Sequence, residues 1–226
     1  ASTAAFSPDG KHLAAFANQG DGRFRLQIWD STSRRPLPEP NTIQSDAPTL
    51  PLFDQQNRVY VRNQNQEVVR YSIDTRQQQT LFRPDDIRDY ALKAVSPDGN
   101  WLVLRLFDSR EVVLVDARNG EIRLRLGGSE TGTDEAAFAD DSSQVLIWQS
   151  QSSGSQGSLI RLAPDSAQIL HSFQADDAVS RVRFAPGYVE LAAELITRRR
   201  STEHRGAHPV TYLGWLREVY PEAGQL

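Results

Sequence analysis

The chain has 226 residues, with 25 Lys and Arg against 29 Asp and Glu, a formal net charge of -4, and 38% hydrophobic content. That is enough to bury a sizeable core, in one all-β domain or in two ordinary ones. With no Cys, a disulfide scaffold, a thiolate metal site and a cysteine nucleophile are excluded, and the mild acidity argues against a dedicated nucleic-acid binder, which needs clustered basic charge.

No apolar run approaches the roughly 18 residues of a membrane span, and no stretch reads as a signal peptide. The chain starts at Ala1 and holds no Met, so it is expected to be one module of a longer protein. Cytoplasmic placement is expected, with the periplasm as the alternative. Only Lys11 and Lys93 are lysines among the basic residues, a bias that reads as a GC-rich genome rather than a functional choice.

From the N-terminus, Ala4 to Phe6 reads as a short strand running into the turn Ser7-Pro8-Asp9-Gly10. Proline presets φ for the second turn position, aspartate bonds the local backbone, and glycine accepts positive φ. A second strand follows from His12 to Phe16. After a polar loop, Phe24 to Asp30 alternates apolar and polar residues as a half-buried strand does. The same order returns with Leu52-Phe53 and Asp54-Gln55-Gln56-Asn57, then a strand ending at Val61 and another over Val68 to Asp74. It returns again with Val95, Ser96-Pro97-Asp98-Gly99, Trp101 to Leu106, Val112 to Asp116 and Glu121 to Leu126. Phe138 precedes a weaker copy, Ala139-Asp140-Asp141-Ser142, and Phe184 opens the last. The anchors 6, 53, 95, 138 and 184 recur at intervals of 47, 42, 43 and 46 residues. A four-stranded propeller blade needs roughly 40–45 residues. Short strands with turn signals every 8–12 residues fit an all-β chain. Only Tyr212 to Tyr220 could be helical, and a strand fits there too.

The Phe6-to-Gly10 turn and the Ile28-Trp29-Asp30 strand ending make the chain resemble the WD-repeat β-propeller family, in a divergent bacterial form. The period extends the resemblance over nearly the whole chain. Only one unit keeps the Trp-Asp pair. Its Trp29 is aligned with Ile73, Val115 and Leu162 in later units, and the family's Gly-His before the first strand is absent. The fold expected is an all-β propeller of about five four-stranded blades, either a closed ring or an incomplete ring of a larger one. The units are residues 1–40, 41–83, 84–127, 128–174 and 175–226 of a single domain.

In such a propeller the 1–2 and 3–4 turns sit on one rim, and the 2–3 and inter-blade loops on the other. Sorting charges this way collects Asp21, Asp46, Asp85, Asp86, Asp89, Asp108, Glu130, Asp134, Glu135, Asp176 and Asp177 on the loop rim. The turn rim is mixed: Lys11, Arg34, Arg35, Arg58, Arg76 and Arg118 against Asp9, Asp54, Asp74, Asp98 and Asp116. The acidic rim reads either as ordinary loop capping and solvation or as a surface that selects a basic partner. The candidate partner-binding residues are Asp85, Asp86, Asp134, Glu135, Asp176, Asp177 and the loop triplet Arg198, Arg199 and Arg200. Gln149 to Ser158, rich in Gln, Ser and Gly, reads as a flexible loop. Phe6, Phe53, Phe138 and Phe184 are expected to pack between blades.

Chemistry is sparse. His204 and His208 are four apart in a loop with no third ligand nearby, and His12 reads as a strand residue. The Asp pairs lack calcium-loop spacing. No nucleophile elbow, Walker loop or dinucleotide fingerprint occurs. No catalytic, cofactor or metal residue is assigned. The expectation is a non-enzymatic interaction, scaffold or sensor module of a larger signalling or defence protein. Its partner is a protein or another domain of the same polypeptide, not nucleic acid. The alternative is a propeller that gates or supports an enzyme, such as a peptidase, whose catalytic domain lies outside this chain.

Overall fold

The computed structural model describes residues 4–20, 22–38, 43–47, 49–82, 89–128, 134–151, 154–175, 179–181 and 196–197. Among them there is no helix. Four antiparallel four-stranded sheets follow one another along the chain. The first runs β1 (Ala4–Phe6), β2 (His12–Asn18), β3 (Phe24–Asp30) and β4 (Gln44–Ser45). The second is β5 (Leu52–Phe53), β6 (Arg58–Arg62), β7 (Val68–Ser72) and β8 (Gln77–Phe82). The third is β9 (Tyr90–Val95), β10 (Trp101–Leu106), β11 (Val112–Asp116) and β12 (Ile122–Leu126). The fourth is β13 (Asp134–Phe138), β14 (Gln144–Gln151), β15 (Gly154–Ala163) and β16 (Ser166–Ala175), and β17 (Val179–Arg181) pairs with β18 (Ile196–Thr197). Each four-stranded sheet is a meander in sequence order, the propeller-blade pattern, so the all-β propeller fold stands.

One turn repeats four times. The amides of Gly10, Asn57, Gly99 and Ser142 donate back to the carbonyls of Ser7, Asp54, Ser96 and Ala139 at 2.9–3.1 Å. All four residues take positive φ, between 56° and 73°. Glycine fills that position twice, and Asn and Ser carry the same backbone in the weaker copies. A carboxylate closes each turn. Asp9 Oδ1 accepts from Ser7 Oγ at 2.6 Å and from the Lys11 amide at 3.0 Å. Asp98 and Asp141 repeat this with Ser96 and Ser143. Those bonds, led by Ser7 for Asp9 and by the Ser143 amide for Asp141, hold both carboxyls below the usual carboxylate range.

The chain divides into two compact units, Ala1–Ser109 with Val113–Arg123, and Arg110–Val112 with Leu124–Leu226. In the first unit, period-two alternation sends β6 side chains to opposite faces. Val59 and Val61 join Ala14, Phe16, Leu26, Ile28 and Ile43 in one core layer. Tyr60 joins Tyr90, Leu102, Leu104 and Val113 in the next. Each buried Val, Leu, Ile or Phe contributes roughly 1.5–3 kcal/mol.

Register corrects two expectations and burial a third. Leu13 pairs with Trp29 and Val59 with Tyr71, and Val145 pairs with Ile160, so the Trp29 position is filled by Tyr71 and Ile160, not Ile73 and Leu162. In the second sheet, aligning Ile73-Asp74 with Trp29-Asp30 places the ladder two residues too far along. Phe6 does not pack between sheets: it is 64% exposed. Phe53, its equivalent, packs partly buried on the first core layer, and Phe138 is half-buried. Phe6 and Phe53 pair with Leu13 and Val59 on the same face of their sheets. That face of the second sheet meets the first, whereas in the first sheet Phe6 stays exposed on it. Phe184 lies outside the described residues, as does Tyr212 to Tyr220.

Of the segment expected as a loop, residues 149–151 and 154–158 are paired strands of a long hairpin. Trp148 pairs with Gly157 across the strands, and a Cβ on Gly157 would overlap the Trp148 ring. Glycine thus gives the indole its seat, an aromatic covering a bare strand backbone. Ser155, Ser158 and Gln149 are buried, and the Gln149 side-chain amide donates to the Gly127 carbonyl. The composition of a linker here is the composition of a close-packed hairpin.

Candidate interaction rim

Within the first unit, the antiparallel meanders put the Ser7, Asp54 and Ser96 turns at one end of the strands. The loops after β2, β6 and β10 and the connection from β4 to β5 lie at the other. At the turn end two carboxylates are buried against arginines. Arg58 Nε lies 2.5 Å from Asp54, whose side chain is fully buried. Tyr60 Oη donates to the same carboxylate at 2.9 Å, and Arg58 Nη2 donates to the Asp98 carbonyl at 2.9 Å. Burial raises the Tyr60 pKa, so its hydroxyl stays a donor. Asp116 is buried between Arg118 at 2.6 Å and Arg123 at 3.4 Å, and Arg123 also reaches Glu121 at 3.0 Å. Lys11 sits 3.8 Å from Asp9. Asp54, Asp116, Arg58 and Arg123 are thus taken up in holding turns and neighbouring sheets together, while Arg34, Arg35, Asp74 and Arg76 of the same rim are exposed.

The loop end is arranged the other way round. Arg62 ends β6 with its side chain only 8% exposed, and its Nη1 lies 2.6 Å from Asp89 Oδ1. Nη1 also donates to the Tyr90 carbonyl at 2.8 Å, and Nη2 lies 3.8 Å from Asp46 Oδ1. The two carboxylates are 55% and 57% exposed. The guanidinium stacks 5.6 Å from the Tyr90 ring. Tyr90 Oη donates to the Gln66 carbonyl at 3.0 Å, and Gln66 Nε2 donates to Asp46 Oδ2 at 3.4 Å. Burial raises the Tyr90 pKa, which keeps this hydroxyl a donor as well. The Phe107 amide donates to the Asp89 carbonyl at 3.1 Å. The Phe107 ring is 47% exposed, with the Arg105 guanidinium 5.9 Å away. A buried cation beneath exposed carboxylates fixes their positions while leaving their outer faces to solvent.

Of the residues singled out from sequence, Glu135 is exposed on β13. Asp134 is buried, 2% exposed, so its carboxylate adds nothing to an exposed rim. Asp85, Asp86, Asp176, Asp177, Arg198, Arg199 and Arg200 lie outside the described residues, as do Asp21, Glu130, His204 and His208. Asp46, Asp89 and Asp108 are exposed in the first unit. Sequence reasoning missed Arg62, Gln66, Tyr90 and Phe107. The available signal was an arginine closing the apolar run Val59-Tyr60-Val61, where a charge needs a fixed partner. Among the described residues no group of three or more His, Asp or Glu could hold a metal, and no helix is long and apolar enough to cross a membrane.

No family model matches the chain, and no curated protein does. Solved structures do. Hydrazine synthase of Kuenenia stuttgartiensis aligns over 91% of this chain at 15% identity, with a TM-score of 0.55. A functionally unknown protein from Desulfotomaculum acetoxidans aligns over 79% at 12% identity, with a TM-score of 0.54. TolB from Acinetobacter baumannii aligns over 86% at 16% identity, with a TM-score of 0.50. The chain spans 58%, 57% and 51% of those chains. At such identities the likeness is one of fold, and with TolB that fold is a β-propeller.

Proposed function

We propose that the chain is a divergent WD-repeat-like propeller serving as a non-catalytic interaction module, a scaffold or sensor, in a larger cytoplasmic bacterial signalling or defence protein. The observation that carries this reading is the difference between the two ends of the strands. At the turn end Asp54 and Asp116 are buried against arginines. At the loop end Asp46 and Asp89 are held outward by a buried arginine. A rigid sheet scaffold that keeps carboxylates exposed at one end selects partners by charge, an effect that weakens as salt rises.

The test is affinity capture from the native lysate with wild type and with Asp46→Lys/Asp89→Lys. Wild type is expected to recover a partner that the variant loses and that high salt releases. Recovery of no partner by wild type overturns the interaction reading. Turnover of peptide, ester or phosphate substrates by the chain overturns its non-catalytic part.

A further inference from the structure

We infer that the loop rim of the second and third sheets is a docking surface for an extended peptide segment bearing lysine or arginine, seated across Asp46, Asp89 and Phe107. The inference rests on the interaction-module reading and names its site and partner chemistry. Three observations converge on it. The first is preorganisation. Arg62 pins Asp89 at 2.6 Å and approaches Asp46 at 3.8 Å, while the Gln66 amide holds the second Asp46 oxygen at 3.4 Å. An incoming cation therefore meets carboxylates already in place, and less conformational freedom is lost on binding.

The second is the local charge balance. Asp46, Asp89 and Asp108 are exposed, and a single guanidinium, Arg62, is shared between Asp46 and Asp89. The carboxylates therefore keep a net negative charge that a cation arriving from solvent balances.

The third is the exposed Phe107 ring, tied to the Asp89 carbonyl through its amide at 3.1 Å. An apolar face beside a carboxylate suits the long aliphatic stem and charged head of lysine or arginine. An acidic or phosphorylated partner is disfavoured. It would meet Asp46, Glu67, Asp89 and Asp108 around a guanidinium already paired with two carboxylates.

The test is fluorescence anisotropy of the whole chain with two labelled eight-residue peptides, one alternating Lys and Leu, the other Glu and Leu. Binding is expected for the first only, weakening about tenfold in Asp46→Asn/Asp89→Asn, as loss of two partly exposed ion pairs implies. Phe107→Lys leaves the Arg62 pairs intact and is expected to weaken binding as well, which guards against misfolding of the first variant. Asp74→Asn, an exposed carboxylate at the turn end, is expected to bind as wild type does. Equal binding of both peptides overturns the proposal. So does full affinity in both rim variants, or no binding of the basic peptide. Partner capture that survives such a result would leave the interaction reading standing and move the site elsewhere.

Discussion

Gly99→Ala and Gly10→Ala place the same methyl group at the same turn position with very different surroundings. Both glycines hold positive φ, +73° and +71°. Forcing alanine into that region costs about 1–2 kcal/mol by itself. Around Gly10 a Cβ meets nothing within 4 Å, so that strain is the whole effect. At Gly99 the Cβ would overlap Tyr60 Oη and Arg58 Nη2 and lie 2.7 Å from Asp54 Oδ2. These atoms belong to a buried network. Asp54 accepts from the Gln56 and Arg58 amides at 2.9 and 3.0 Å, from Arg58 Nε at 2.5 Å and from Tyr60 Oη at 2.9 Å. Displacing one hydrogen bond to a charged group adds about 1.5–3 kcal/mol. Gly99→Ala is therefore expected to cost about 3–5 kcal/mol and Gly10→Ala about 1–2 kcal/mol. At roughly 2–4 °C per kcal/mol for a chain of this size, the first variant melts about 10 °C below wild type and the second within a few degrees of it. Thermal unfolding followed by circular dichroism measures both. Equal losses would refute the idea that the Asp54 network clamps the turn of the third sheet onto the second.

Other perturbations test other parts of the fold. Phe6→Ala is expected to change stability by no more than about 0.5 kcal/mol, as surface substitutions do, while half-buried Phe53→Ala costs about 2 kcal/mol in chemical denaturation. Gly157→Ala overpacks the hairpin and costs about 1–3 kcal/mol. In a Trp148→Leu background that penalty shrinks, and a double-mutant cycle reads the coupling. Hydrogen bonding from Arg118 holds the Asp116 carboxyl below its ordinary value. A folded-state pKa that is depressed gives stability present above the unfolded value, near pH 4, and lost as pH falls through the folded one. Asp116→Asn is accordingly expected to flatten the acid limb of the stability curve below about pH 4, measured by denaturant midpoints at successive pH values.

Repeat, turn and strand order were legible in the sequence because each rests on local chemistry. Ser-Pro-Asp-Gly encodes a turn whether or not its neighbours are known, and Asp54-Gln55-Gln56-Asn57 carries the same backbone by substitution. What escaped reading depends on contacts distant in sequence. The Ser and Gly residues from Gln149 to Ser158 look like a linker until Trp148 is seen lying on Gly157. Phe6 looks like a core residue because Phe53 is one, yet its burial depends on a neighbouring sheet that the sequence does not locate. For the rim, the acidic bias was visible at Asp46, Asp89 and Asp108. Its organisation was not, because Arg62 lies 27 residues before its partner Asp89 and closes the apolar run Val59-Tyr60-Val61.

The most direct test of the acidic loop rim as the binding face is hydrogen-exchange mass spectrometry of the whole chain with and without the alternating Lys-Leu peptide. The account predicts new protection in residues 43–50, 62–67 and 105–109, and none in the turns at 7–11, 54–58 and 96–100. Protection at the turns instead, or no change at the loop rim with peptide bound, would contradict it.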